Sequence, residues 1–254
     1  ATEEKLFYYV SGMLSRKELG EDKVQGLDYA YTINGWYKGV NAVTLDENMD
    51  MGRDGLKTDD ATYDTYIYSD DLNANVSRDA FGFSLHFFND DYKAIGRANA
   101  TTNQTSFLTN LPSGHSNNLY NGNIGDMVVG LTKPQQAGQA QEAMAPQWTS
   151  YRYDQLQRIR SMQSSTTLVF NGSSEHRDEH NWGALGNGYQ TNYTYDGNGN
   201  ILSLLRKNAA GTTIDDLTYF YAASTGATPQ GTTTPGQFIN NQLLHVNDGT
   251  GSTV

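Results

Sequence analysis

The sequence has no cysteine among its 254 residues. This absence excludes disulfide bonds, thiolate metal sites and a cysteine nucleophile, and it leaves the cellular compartment undetermined. No apolar run approaches the roughly 20 residues that a membrane-spanning helix needs, so no membrane span is predicted. The first ten residues, ATEEKLFYYV, also lack the basic start and apolar centre of a signal peptide.

Clusters of lysine and arginine are missing as well, and the formal net charge is −11. Contacts to phosphate need such clusters, so we expect no nucleic-acid partner, and anionic membrane surfaces are disfavoured for the same reason. Ala, Leu, Glu and Lys at helical spacing are scarce, whereas aromatic residues, Gly, Asn and Thr are plentiful. The composition therefore predicts strands and turns, in one large all-β domain or two smaller ones.

The clearest pattern lies in the last quarter of the chain. Residues i and i+2 of a strand point to one face, so the pairs Tyr193/Tyr195 and Tyr219/Tyr221 predict two strands. Between them, the string DGNGN at 196–200 has the side chains and glycines of a tight reversal. The apolar run ILSLLR that follows predicts another strand, so this part of the chain is predicted to be a meander of β-hairpins.

The same pattern occurs upstream. Tyr29 and Tyr31 precede an Asn-Gly pair, which is the strongest short hairpin signal, and the string YRYD opens a further copy at residue 151. The residues predicted to build the hairpins are Tyr29, Tyr31, Asn34, Gly35, Tyr151, Tyr153, Asp154, Tyr193, Tyr195, Asp196, Gly199, Asn200, Tyr219 and Tyr221.

Three other segments define the predicted organisation. The string FGFSLHFF at 81–88 alternates between two faces, with Phe81, Phe83 and Leu85 on one of them, and predicts a well-buried strand. The acidic, Gly-rich segment 44–60 is predicted to be an exposed loop.

Residues 134–147 carry too little apolar surface to form core and are predicted to be an exposed linker or loop. The predicted organisation is therefore a hairpin segment at 1–133, this linker, and a second hairpin segment at 148–254 that continues the same sheet.

These strings resemble a known family. YRYDQLQRI, YTYDGNGNIL and YFY followed by NNQLLHV are similar to the YD repeats of the Rhs family, whose pattern is Tyr-x-Tyr-Asp-x-x-Gly-Asn/Arg-hydrophobic. The upstream strings LDYAYTINGWYKGVN, DAFGFSLHFFNDDY and LYNGNIGDM resemble the stretch that precedes the terminal core of Rhs-type proteins. The resemblance covers nearly the whole chain.

The resemblance implies a fold and a role. In this family, repeats form strips of β-hairpins that spiral into a hollow shell, which encloses a C-terminal effector in bacterial toxins and serves adhesion in animal teneurins. We therefore expect consecutive antiparallel hairpins, no enzymatic activity, no cofactor, and an exported protein at the cell surface or outside the cell. The implied partners are the rest of the same polypeptide or an enclosed effector, with a secretion apparatus or a surface glycan as further partners.

Two features depart from the family pattern. No Asp-Pro-x-Gly-Leu string occurs, so we expect a shell fragment without the self-cleaving core. Tyr31 is followed by Thr32, and Tyr221 by Ala222, where the pattern has Asp. These two copies are expected to turn differently.

Candidate catalytic and metal-binding residues have simpler explanations. The string HRDEH, from His176 to His180, fits the order of inverted zinc peptidases, but that motif works only on a helix. Its flanks, NGSS and NWG, offer no apolar face for one, so a solvated loop is favoured and a zinc hydrolase is the remote alternative. The strings at Asp46 and Asp196 lack the Gly and Glu of a calcium loop, so turn chemistry explains them.

Aromatic side chains leave one binding alternative. Trp36, Trp148 and Trp182 are candidates to stack on sugars, which would make the chain an adhesin-like module that binds glycan or protein. At strand spacing, aromatics more often form ladders on a sheet face. We therefore predict no catalytic, cofactor-binding or metal-binding residue, and we treat the tyrosines as structural.

Overall fold

The computed structural model describes residues 3–45, 50–55, 73–93, 107, 118–133, 144–165, 168–170, 180–182, 188–223 and 238–250. These residues form strands and turns and contain no helix. The strands are β1 (Glu4–Tyr8), β2 (Leu14–Leu19), β3 (Gln25–Tyr31), β4 (Tyr37–Val40), β5 (Phe81–His86), β6 (Asp126–Leu131), β7 (Gln147–Tyr153), β8 (Ile159–Ser165), β9 (Leu168–Phe170), β10 (His180–Trp182), β11 (Thr191–Tyr195), β12 (Ile201–Lys207), β13 (Thr213–Ala223) and β14 (Phe238–Asp248).

The prediction of an all-β fold of consecutive antiparallel hairpins is confirmed. The chain divides into two compact units, of which the first contains 1–148 and 166–184 and the second 149–165 and 185–254. In the first unit, β1 to β6 lie side by side in chain order, and β9 pairs with β10. In the second unit, β8, β11, β12, β13 and β14 follow one another, again in chain order. Most of the predicted linker, residues 134–143, lies outside the described residues, and Gln147 opens β7.

In the first unit, one face of the sheet is polar and buried. Cross-strand pairing sets Arg16 on β2 opposite Asp28 on β3, and His86 on β5 opposite Asp126 on β6. The other face is apolar but only half-buried. It carries Tyr29, Tyr31, Phe81, Phe83, Leu85, Met127 and Val129.

The strand predicted at 81–88 is present as β5, but only one of its two faces is buried. Gly82, Ser84 and His86 are buried, whereas Phe81 and Phe83 are not. The reason is that the chain after β4 packs its backbone onto the glycine side. A Cβ atom at Gly82 would lie 2.4 Å from the carbonyl oxygen of Ala42, so only glycine permits this approach.

The prediction of an exposed loop at 44–60 is wrong for residues 50–55. Asp54 is 1% exposed, and Asp50 is buried beside it. The carboxylate of Asp50 accepts hydrogen bonds from the backbone N–H groups of Gly52 and Asp54. This turn points its acidic side chains inward, toward Arg16, and thereby covers the polar face.

Candidate functional site: repeated turns and two buried polar clusters

Five hairpin turns share one backbone hydrogen-bond pattern. In each, the first residue donates its N–H to the carbonyl four residues later, and its own carbonyl accepts from the N–H three residues later. The turns begin at Tyr9, Thr32, Asp154, Asp196 and Asn208. Such a turn with a left-handed residue near its end is a common three-residue hairpin connection. Thr32 therefore turns in the same way as the Asp copies, and the expectation that it would turn differently is wrong.

The fourth position of these turns requires positive φ. It is occupied by Gly12, Gly35, Gly199 and Gly211, with φ between 79° and 94°, and by Gln157 with φ of 63°. Glycine adopts this conformation without steric cost, which explains the Gly of the repeat pattern. Asn34 lies one residue before the left-handed Gly35.

The first side chain of the turn binds the backbone that follows it. Oδ1 of Asp196 accepts from the N–H groups of Asn198 at 2.9 Å and Asn200 at 2.8 Å. Asp154 accepts from its equivalent amides at 2.9 and 3.0 Å, and the Asn208 side chain does the same at 3.0 Å each. Burial acts to raise the pKa of Asp196, but the hydrogen bonds from Asn200 and the turn amides lower it overall.

The fifth position joins one hairpin to the next. Arg158 donates through Nε to Oδ2 of Asp154 at 2.6 Å and through Nη1 to the carbonyl of Asp196 at 2.9 Å. Its guanidinium also lies 4.5 Å from the ring centre of Tyr195. Asn200 occupies the same position in the next turn, where it donates to Asp196 and to the side chain of Asn241.

Tyrosine hydroxyls provide a second connection between hairpins. The hydroxyl of Tyr195, just before its turn, donates to the carbonyl of Ile159 in the preceding hairpin at 2.6 Å. Tyr221 donates in the same way to the carbonyl of Ile201 at 2.9 Å. Ile159 and Ile201 each lie five residues after the start of a turn. These two hairpins are therefore each hydrogen-bonded to the residue that follows the turn of the hairpin before.

The remaining predicted tyrosines of the second unit lie on β7, β11 and β13. Tyr193 stacks on Tyr195 with ring centres 6.3 Å apart and an interplanar angle of 18°. Tyr219 is half-buried and pairs with Val246 on β14. Tyr151 and Tyr153 are half-buried on β7, and burial raises the pKa of both.

A first buried cluster surrounds Arg16, which no sequence motif identified. Its guanidinium binds Glu18, Asp28 and Asp54, the last at 2.6 Å. Gln25 donates to Asp79 at 3.1 Å, and Asp79 is hydrogen-bonded to Asp50. We call these residues the Arg16 cluster: Arg16, Glu18, Asp28, Asp50, Asp54 and Asp79.

The Arg16 cluster holds more carboxyl groups than one guanidinium can neutralise. Burial raises the pKa of Asp28 to about 7 and that of Asp54 to about 6, although Arg16 opposes both shifts. Burial and the neighbouring Asp50 raise the pKa of Asp79 to about 9. A hydrogen bond between two carboxyl groups needs a proton on one of them, and the raised pKa of Asp79 places that proton on Asp79 at neutral pH.

The Arg16 cluster borders an open groove of about 400 Å³. Its lining combines Phe7 and Tyr9 with charged groups of both signs, including Lys5, which lies 4.7 Å from the ring centre of Phe7. The guanidinium group of Arg16 lies between the carboxylates of Glu18, Asp28 and Asp54. In the part of the chain that the structure describes, no group of acidic or histidine side chains is arranged to hold a metal ion.

A second buried cluster contains a Lys, a His, a Ser and an Asp. Nζ of Lys38 lies 2.7 Å from Oδ1 of Asp91 and 3.0 Å from Nδ1 of His86. Nε2 of the same imidazole lies 3.0 Å from Oγ of Ser84. We call Lys38, Ser84, His86 and Asp91 the Lys38 cluster.

The polarity of the Lys38 cluster is opposite to that of a serine hydrolase. A lysine ammonium group only donates, so Nδ1 of His86 accepts from Lys38 and Nε2–H donates to Ser84. A serine nucleophile needs an imidazole nitrogen that accepts its proton. Ser84 is also 0% exposed, so no substrate reaches it.

The other candidates of the sequence are placed as follows. Trp148 is 0% exposed and donates to Asp126, so it is not available for the sugar stacking that the adhesin alternative would require of it. Trp36 packs on Phe87, with ring centres 4.9 Å apart. The side chains of Trp182 and His180 and all of His176 lie outside the described residues. No helix in the described ranges is long and apolar enough to cross a membrane.

No protein-family model and no curated protein matches this sequence.

Proposed function

We propose that this chain is a non-enzymatic structural segment of a bacterial Rhs/YD-repeat β-shell, exported or displayed at the cell surface, that encloses or scaffolds another polypeptide such as a toxin effector. The observation that carries the proposal is the repeated turn, in which the fifth residue and a tyrosine hydroxyl bind the neighbouring hairpin. Arg158 and Asn200 occupy the Asn/Arg position of the YD pattern and both make this connection.

The chemistry of the repeat supports a structural role. The carboxylate of Asp196 accepts three hydrogen bonds within its own turn, from two backbone amides and from Asn200. The hydroxyl groups of Tyr195 and Tyr221 are bound to carbonyl groups. Because these groups are already engaged in holding hairpins together, the repeat offers no reactive side chain for catalysis.

The apolar sheet face of the first unit supports a scaffolding role. Phe81, Phe83, Leu85, Met127 and Val129 lie side by side on β5 and β6 and are only half-buried. A contiguous apolar surface of this kind on a soluble protein is typical of an interaction site. An extended or unfolded polypeptide rich in apolar side chains is the partner that fits it.

The test uses the purified chain and an unfolded probe, reduced and carboxymethylated lactalbumin labelled with a fluorophore. We expect anisotropy to report binding, and the double variant Phe83→Ser, Leu85→Ser to lose it. Leu156→Ser is the matched control, since Leu156 is 65% exposed in a turn of the second unit and should leave binding unchanged. Equal binding by all three proteins, or by none, would contradict the scaffolding role.

The coding sequence on either side of this chain tests the shell itself. Further Tyr-x-Tyr-Asp hairpins followed by an Asp-Pro-x-Gly-Leu core and a variable tail are the expected result. Flanks without such hairpins would argue against the Rhs assignment.

A glycan-binding adhesin module is the second candidate, and exposed tyrosines favour it. Tyr9 and Tyr37 are 44% and 49% exposed, and they flank Tyr31, with ring centres 6.4 and 5.0 Å from it. Aromatic rings in such a group can stack on sugar rings. A glycan array with the wild-type protein and with Tyr37→Ala separates the candidates, since only the adhesin function predicts a signal that the variant loses.

A further inference from the structure

We propose that Lys38 and Asp91 form an intramolecular isopeptide bond between Nζ of the lysine and Cγ of the aspartate. The two side chains are 53 residues apart in sequence, and the bond would tie β4 to the segment that follows β5. The proposal concerns a covalent modification and does not depend on the proposed shell function.

The geometry places the reacting groups in contact and away from water. Nζ of Lys38 is 2.7 Å from Oδ1 of Asp91, and the two side chains are 3% and 6% exposed. Holding a nucleophile and an electrophile together in this way converts a bimolecular condensation into a unimolecular one. Exclusion of water also disfavours the reverse reaction, which is hydrolysis of the new amide bond.

His86 supplies the base that the lysine needs. A lysine attacks only as the neutral amine, and Nδ1 of His86 lies 3.0 Å from Nζ with its lone pair toward it. Because the ammonium group of Lys38 only donates, the imidazole proton lies on the opposite nitrogen, Nε2, which donates to Ser84. Burial lowers the pKa of Lys38, against the opposing effect of Asp91, and so favours the neutral amine further.

The carboxyl group of Asp91 is held for attack. Its Oδ2 accepts the backbone N–H of Phe87 at 2.9 Å, while Oδ1 faces the amine. When Nζ adds to Cγ, negative charge develops on Oδ2, where the Phe87 amide stabilises it. Oδ1 is the oxygen that leaves.

The reaction balances without any other reagent. The ammonium group of Lys38 gives up two protons in all, the first of them through His86. Those protons and Oδ1 of Asp91 leave as one water molecule, the Nζ–Cγ bond forms and the Cγ–Oδ1 bond breaks. No oxidant or reductant is consumed, and a chain without cysteine gains a covalent cross-link that needs no oxidising environment.

The same molecule contains a matched pair that should not react. Nζ of Lys17 lies 2.6 Å from Oε2 of Glu4, which is a contact of the same kind and length. These side chains are 29% and 49% exposed, so water solvates both charges. Comparison of the two pairs therefore shows whether contact between lysine and carboxylate is sufficient for the bond or whether burial is also needed.

The test is the intact mass of the purified, full-length chain after unfolding in denaturant. We expect a mass lower than that of the sequence by one water molecule, and a peptide map in which the Lys38 peptide is joined to the Asp91 peptide. Glu4→Ala should show the same water loss. Asp91→Ala and Lys38→Met should show the unmodified mass, and His86→Phe should form the bond more slowly over a time course of incubation.

A wild-type mass that equals the sequence mass after prolonged incubation at neutral pH would overturn the proposal. If Asp91→Ala or Lys38→Met fails to fold, the wild-type peptide map still decides, since it shows directly whether Lys38 and Asp91 are joined. A water loss mapped to any other pair of residues would equally overturn the assignment.

Discussion

In two of the five turns, the residue in the fifth position joins neighbouring hairpins. Arg158 reaches the carbonyl of Asp196 in the next turn, and Asn200 reaches Asn241 on β14. Both also bind the carboxylate of their own turn. One side chain thus stabilises the turn and the contact beyond it, which gives a physical reason for Asn or Arg at this position of the YD pattern.

Asp196→Ala should destabilise the second unit by about 1 to 2 kcal/mol, because two turn amides and Asn200 lose their acceptor. Urea unfolding followed by circular dichroism measures the change. Asp196→Asn is the control and should retain most of the stability, since Asn208 binds the equivalent amides in the wild-type chain. A loss as large as that of the alanine variant would show that the negative charge is what matters.

The hydroxyl of Tyr221 provides a second prediction at this scale. Tyr221→Phe should cost about 1 kcal/mol, because it leaves the carbonyl of Ile201 without its donor while keeping the ring. Tyr189→Phe is the matched control, since Tyr189 is 46% exposed, and should change the free energy of unfolding little. Equal effects in the two variants would contradict a stabilising hydrogen bond from Tyr221 to the neighbouring hairpin.

An ordinary sheet buries its apolar face, whereas the strands β2 to β6 bury their polar face. Segments of backbone cover the polar side, as Ala42 does at Gly82, while Phe83 and Leu85 stay half-exposed on the other side. This arrangement places the Arg16 cluster and the Lys38 cluster inside the first unit. Buried networks of this kind need every partner in place, so they couple the strands to the segments that cover them.

The Arg16 cluster predicts that mild acid stabilises the first unit. The folded pKa values of Asp54, Asp28 and Asp79 are raised to about 6, 7 and 9, so the folded state binds more protons than the unfolded state at neutral pH. Their contribution to stability is fully present below the unfolded pKa of the carboxyl groups. It is lost as pH rises through the folded values.

The expected result is a free energy of unfolding, measured by urea titration, that is higher at pH 5 than at pH 8 by on the order of 2 kcal/mol after allowance for the solvent in the groove. Asp79→Asn mimics the protonated side chain and should reduce the dependence on pH. A midpoint that rises from pH 5 to pH 8 would contradict this account of the cluster.

At the scale of the whole molecule, the net charge determines whether nucleic acid can be a partner. The formal net charge of −11 predicts no binding to nucleic acid at physiological salt. Anisotropy of labelled single- and double-stranded DNA checks this, and saturable binding that weakens with salt would contradict it.

Local patterns in the sequence were enough to predict the strands that carry the Tyr pairs, the strand β5 and the turns at Gly35 and Gly199, but they did not predict β9 or β10. The alternation of Tyr pairs and the glycines at 35, 199 and 211 depend on steric rules that act within a few residues, so they are readable without the fold. The side-chain role of Asp154 and Asp196 in their turns is equally local. The turn at Asn34-Gly35 was predicted, but its likeness to the Asp turns was not, because the backbone geometry of the turn does not require Asp in place of Thr32.

The buried faces and the clusters were decided only by the tertiary structure. Whether Phe83 or Ser84 points to the interior depends on which side of the sheet the chain covers, and a period-2 pattern is the same for both. Arg16 and Asp54 are 38 residues apart, and Lys38 and Asp91 are 53 apart. No local rule brings such residues together, whereas the strand order and the covering segments do.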